Sequence, residues 1–80
     1  MTPGTPSRHA SLGNAQLEAA ERLYYAGAPG LAADRLESFA RDCPDDDLKA
    51  TALARLALIA ADQDDAIRAE RAMREAHTLL

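Results

Sequence analysis

Residues 48–61, LKATALARLALIAA, run from Leu48 to Ala61 and decide the fold. The stretch is apolar nearly all the way round, and only Lys49, Thr51 and Arg55 interrupt it, all within its first eight positions. A helix that is apolar on every side is covered on every side. At 1.5 Å per residue such a helix spans about 21 Å, too short to cross a bilayer. The stretch therefore predicts a central helix with other helices packed around it.

Composition agrees with this reading. Eighty residues allow one domain, and a chain this short buries a modest share of its surface. It holds 19 Ala and 11 Leu against one Phe, two Tyr and no Trp. Ala is the best helix former, and an Ala/Leu core draws backbones together while removing little apolar area per residue. The expected body is a thin helical layer that gains stability from a partner. A net charge of −4 disfavours nonspecific nucleic-acid binding and anionic membrane surfaces. Cys43 stands alone, so no internal disulfide forms. No apolar stretch of signal-peptide or transmembrane length is present, which points to the cytoplasm.

Outward from the central stretch, the chain divides at its Pro, Gly and Asp residues. Residues 1–13 carry Pro3, Gly4, Pro6, Ser7, Ser11 and Gly13, the composition of a flexible, disordered leader. His9 inside it reads as a solvated residue. The folded domain is expected over residues 14–80. Asn14 is the expected N-cap of a first helix from Ala15 to Ala26. Ala20 and Tyr24 face its core side, and Tyr25, about 100° away, looks outward as a possible anchor for a partner.

Gly27-Ala28-Pro29-Gly30 is a tight break, with Gly27 suited to positive φ and Pro29 to a first helical turn. A second helix follows from Leu31 to Asp42. Its apolar stripe is Ala32, Leu36, Phe39, Ala40 and Cys43, with Cys43 read as a buried, inert thiol. Pro44 stops it, and Asp45, Asp46 and Asp47 offer carboxylates to the free N–H groups of the central helix. Leu56 and Ile59 are the expected core of that helix. After Asp62-Gln63-Asp64-Asp65, a fourth helix from Asp65 to Leu79 presents a narrow seam that includes Ala69, Met73 and Ala76.

The chain contains an internal repeat. GAPGLAADRLESFA, from Gly27 to Ala40, aligns with DDAIRAERAMREAH, from Asp64 to His77. Ala32 meets Ala69, Leu36 meets Met73 and Phe39 meets Ala76, each pair 37 residues apart. On these residues the chain resembles the tetratricopeptide repeat (TPR) family. Ala20, Gly27, Ala32, Leu36, Phe39 and Pro44 match the family's pattern in a first copy over about 14–44. Leu56, Ala57, Ala69, Met73 and Ala76 match it in a second over about 47–80. The aromatic near the start of the first helix is absent in both copies, and Asp64 stands where the family has a turn Gly. The period exceeds the family's ~34 by about three residues, a length that also resembles TPR proteins of bacterial envelope and secretion systems.

The resemblance implies an all-α fold of four helices, as two stacked antiparallel hairpins. It also implies a noncatalytic role, in which a shallow surface binds a peptide or helix of a protein partner. A small cytoplasmic chaperone for a bacterial secretion-system subunit is one form of that role. A regulatory subunit of a larger complex, a transcriptional one included, is another. Because no covering helix follows the fourth, Leu58, Met73, Leu79 and Leu80 are expected to leave an apolar strip for a partner or for self-association as a homo-oligomer.

Reactive chemistry is not signalled. An EF-hand loop from Asp62 needs Gly at 67 and Glu at 73, where the chain has Ile67 and Met73. No HExxH, CxxC, GxGxxG, P-loop or GxSxG occurs, and His9 and His77 lack metal-ligand spacing. No cofactor, metal or catalytic residue is expected. Arg68, Arg71 and Arg74 read as a solvated face laced by Glu70–Arg74 and Arg71–Glu75 pairs.

Overall fold

The computed structural model describes residues 8–79, with side chains from Gly13 onward. The expectation of a disordered leader at Met1–Ser7, the surroundings of His9 and the assignment of Leu80 to the partner strip lie outside what is described. Four helices follow one another: α1 (Arg8–Tyr25), α2 (Pro29–Asp42), α3 (Asp46–Asp62) and α4 (Ala66–Leu79). Among the described residues there is no strand. Consecutive helices pack on each other, and α1 also reaches α3, so α3 touches all three of its neighbours.

The reason is visible around the axis of α3. Ala50, Ala52, Leu53, Leu56, Ala57, Ile59 and Ala60 are all buried, and at 100° per residue they cover about half of its circumference. The opposite face is not covered as the sequence led one to expect: Thr51, Leu58 and Ala61 are exposed, Leu58 to 72%, because the neighbouring helices pack on one side of α3. Small side chains set the spacing. Ala32, Ala33, Ala52 and Ala60 are completely buried, and Leu36 is the largest side chain sealed in the core. Tyr24, Phe39, Leu23, Leu48 and Leu79 are partly buried and close the edges of that core. Ala20, Ala32, Leu36, Leu56 and Ile59 sit in the core as expected. Ala69 does not: it is half-buried, at the margin of the α3–α4 contact.

The turns after α1 and after α3 match bond for bond. In the first, the Gly27 N–H donates to the Tyr24 carbonyl (3.1 Å) and the Ala28 N–H to that of Leu23 (2.9 Å). In the second, Asp64 donates to Ala61 (3.0 Å) and Asp65 to Ala60 (2.8 Å). Each is the paired 6→1 and 5→2 closure of a Schellman motif. Gly27 and Asp64 hold the required positive φ, 90° and 61°. Pro29 opens α2 within its first turn, as expected. Asp45 caps α3, its carboxylate accepting from the Asp47 (2.9 Å) and Leu48 (3.2 Å) N–H groups.

The start of α1 differs from expectation. It begins at Arg8, inside the segment read as leader, and Asn14 lies within the helix instead of capping it. Gly13 explains the difference. It is buried, and a Cβ placed on it would fall 2.7 Å from a methyl of Leu48 and 3.4 Å from the ring of Phe39. Glycine here lets α1 lie against the start of α3 and the end of α2, although it is a poor helix former in isolation. Cys43 also differs. It is half-buried, not buried, at the C-cap of α2, where its thiol donates to the Asp45 carbonyl at 3.4 Å.

Candidate interaction groove

The last two turns of α1 carry Glu21, Tyr24 and Tyr25, and the second half of α3 carries Arg55, Leu58, Ile59 and Asp62. Packing of α1 beside α3 sets all of these except Asp62 around a groove of 210 Å³, whose apolar floor includes Leu17, Leu36 and Ile59. Two side chains stand up from it. Tyr25 is 79% exposed on the α1 side, and Leu58 stands on the α3 side. The adjacent tyrosines diverge as a helix requires. Tyr24 turns in against the core while Tyr25 turns out, and their rings meet edge to face at 5.4 Å between centroids.

Two polar links brace the groove. The Tyr24 hydroxyl donates to a carboxylate oxygen of Asp62 at 2.7 Å, joining the C-terminal ends of α1 and α3. That hydrogen bond, reinforced by the negative charge of Asp62, raises the Tyr24 pKa above its ordinary value. The group thus keeps its proton and acts as a fixed donor. The Arg55 guanidinium pairs with the Glu21 carboxylate across the same two helices. Both partners are roughly half exposed, so the pair contributes at most about 1 kcal/mol and serves mainly to hold register.

The expected partner-binding residues do not gather in one place. Tyr25 and Leu58 share this groove. Met73 is 41% exposed on α4, and Leu79 is half-buried against the core, so its apolar surface is already partly used. Exposed Ile67 on α4 and Leu31 on α2, at 74% and 49%, went unassigned in the sequence. The bracing pairs, Glu21 with Arg55 and Tyr24 with Asp62, lie 34 and 38 residues apart and leave no local pattern to read.

The acidic turn after α3 is accounted for by one side-chain hydrogen bond and by two backbone needs. Asp62 accepts from Tyr24, Asp64 takes the left-handed position, and the Asp65 carboxylate accepts from the Arg68 N–H at 3.2 Å. Among the described residues no group of three or more His, Cys, Asp or Glu is placed to hold a metal ion, and no helix is long and apolar enough to cross a membrane. No family model, characterised protein or solved structure matches the chain.

Proposed function

We propose that this chain is a noncatalytic protein-interaction module that binds an amphipathic helix or peptide in the groove between α1 and α3. The observation that carries the reading is the pair Tyr25 and Leu58, both largely exposed on opposite sides of one apolar groove. An exposed tyrosine beside an apolar floor is the composition of an interface anchor. A helical partner would set apolar side chains at i, i+3, i+4 and i+7 along the groove. The Arg55–Glu21 pair would supply polar contacts at its edge.

The matching turns, 37 residues apart, support the further reading of α1–α2 and α3–α4 as two stacked TPR-like hairpins. In that arrangement α1 and α3 are the first helices of the two units, and the groove is the face between them.

The test is selection of amphipathic helical peptides from a displayed library against the wild-type protein. Selected peptides should lose about tenfold or more in affinity for the Tyr25→Ala, Leu58→Ala double variant. The melting temperature should stay near that of wild type, because both side chains are exposed. Peptides that bind the double variant as well as wild type would place the binding face elsewhere.

A further inference from the structure

On the far side of α3 from Leu58, the cleft between α2 and α4 has a different character. It encloses 330 Å³ over Leu53 and Leu56, and it is lined by Arg41, Lys49, Arg68 and Arg71 with Glu37 and Glu75. Four cations against two carboxylates make a local charge of +2 on a chain of net −4, so the remaining surface carries −6. From these observations we propose that the cleft docks an acidic peptide segment of a partner protein.

The pairing of charges gives the reason. Arg68 leaves the face of its own helix and reaches α2, donating to Asp34 at 3.0 Å and Glu37 at 3.3 Å. Glu37 is thereby drawn to Arg68 and away from Arg41, its i+4 neighbour on α2. On α4, Glu70 pairs with Arg74 at 2.6 Å as the sequence suggests, but Arg71 and Glu75 do not pair. Among the described residues Arg41, Lys49 and Arg71 have no ion-pair partner, and all three line this cleft. An Arg side chain fits a carboxylate through two parallel N–H donors, and two such groups, Arg41 and Arg71, line this cleft.

The rest of the molecule argues against other anions. A nucleic acid, with dense backbone charge, meets a surface of −6 beyond the cleft. Arg forks hold phosphate as well as carboxylate, but this cleft adds no helix N-terminus or nest of free backbone N–H groups beside them, so phosphate enters the experiment as a competitor. The proposed occupant is therefore an extended or helical segment with spaced carboxylates. This site is separate from the α1–α3 groove and stands or falls independently of it.

The experiment titrates the full chain with a fluorescein-labelled peptide of alternating Glu and Leu, followed by anisotropy and by amide chemical shifts. Saturable binding should appear, with the largest shifts around Arg41, Lys49 and Arg71. Arg41→Glu with Arg71→Glu should lose about tenfold or more. Arg41→Gln with Arg71→Gln gives the same comparison should the reversed charges disturb folding. Arg22→Glu with Arg74→Glu, which changes charge equally outside the cleft, should alter affinity less than about twofold. Tyr25→Ala with Leu58→Ala should bind the acidic peptide as wild type does. The proposal is overturned by absence of saturable binding, by equal losses in the Arg22/Arg74 variant, by shifts centred on the α1–α3 groove, or by inorganic phosphate displacing the peptide at equal concentration.

Discussion

Gly27 and Asp64 occupy the same position of two matching turns, at φ 90° and 61°, each following the C-terminal end of a helix. Only glycine enters this left-handed region without a steric penalty, and Asp tolerates it better than most residues. Asp64→Gly should therefore stabilise the protein by about 0.5–1 kcal/mol, or roughly 2–8 °C in a thermal melt. Gly27→Ala should destabilise it by about 1 kcal/mol through backbone strain alone, since no atom lies within 4 Å of the added Cβ. A lower melting temperature for Asp64→Gly would contradict the shared geometry.

One residue further on, the turns differ. Asp65 caps α4 through the Arg68 N–H, while Ala28, the N-cap of α2, has no side chain to offer. Ala28→Asp places a carboxylate where Asp65 has one, within reach of the Leu31 N–H and near the positive end of the helix dipole. The expected gain is about 0.5–1 kcal/mol, measured by denaturant titration at neutral pH. It should shrink as the new carboxylate is protonated in acid.

Leu56 and Leu58 are two residues apart and experience opposite surroundings, 2% and 72% exposed. Leu56→Ala should cost about 2–5 kcal/mol and unfold a large share of so small a domain. Leu58→Ala should change stability by less than about 0.5 kcal/mol. Equal effects in a pair of chemical denaturation curves would remove α3 from the centre of the fold.

The bond from Tyr24 to Asp62 makes stability depend on alkaline pH. Folding raises the Tyr24 pKa above its model value of 10.0, so the protonated form is favoured in the folded state. The contribution is fully present below pH 10 and is lost as the pH rises through the raised value. Tyr24→Phe should be less stable than wild type at pH 7, and the gap should close at strongly alkaline pH. A gap that stays constant across that range would show that the hydroxyl contributes nothing through this bond.

Much of the fold was legible because it rests on local signals. The all-round apolar character of residues 48–61 identified α3 as the helix touching all others, and Pro29, Pro44 and the Asp clusters marked its neighbours' ends. The start of α1 was not legible. Gly13 reads locally as a breaker, and its use comes only from Leu48 and Phe39, which folding brings beside it. The groove was visible in part, through the outward turn of Tyr25 and the exposed Leu58. Its bracing by Asp62 and Arg55 was not, because those contacts join separate helices. The α4 face was read only in part: Arg68 reaches across to Asp34 and Glu37 on α2, and Arg71 does not make the i,i+4 pair expected with Glu75.

The duplicated turns bear on how the chain reaches its fold. Each closes over six consecutive residues, using backbone bonds that require nothing from the other half of the molecule. Loops this short close in well under a microsecond, and helix pairs joined by them can form before any distant contact exists. Folding should thus be fast, with the slow step the meeting of α2 and α3, where Ala and Leu side chains must interlock across a three-residue link, 43–45, that lacks the paired turn bonds of the other two. Leu36→Ala and Leu53→Ala, at that meeting, are expected to slow refolding in stopped-flow traces. Gly27→Ala is expected to leave that step less affected for the same loss of stability.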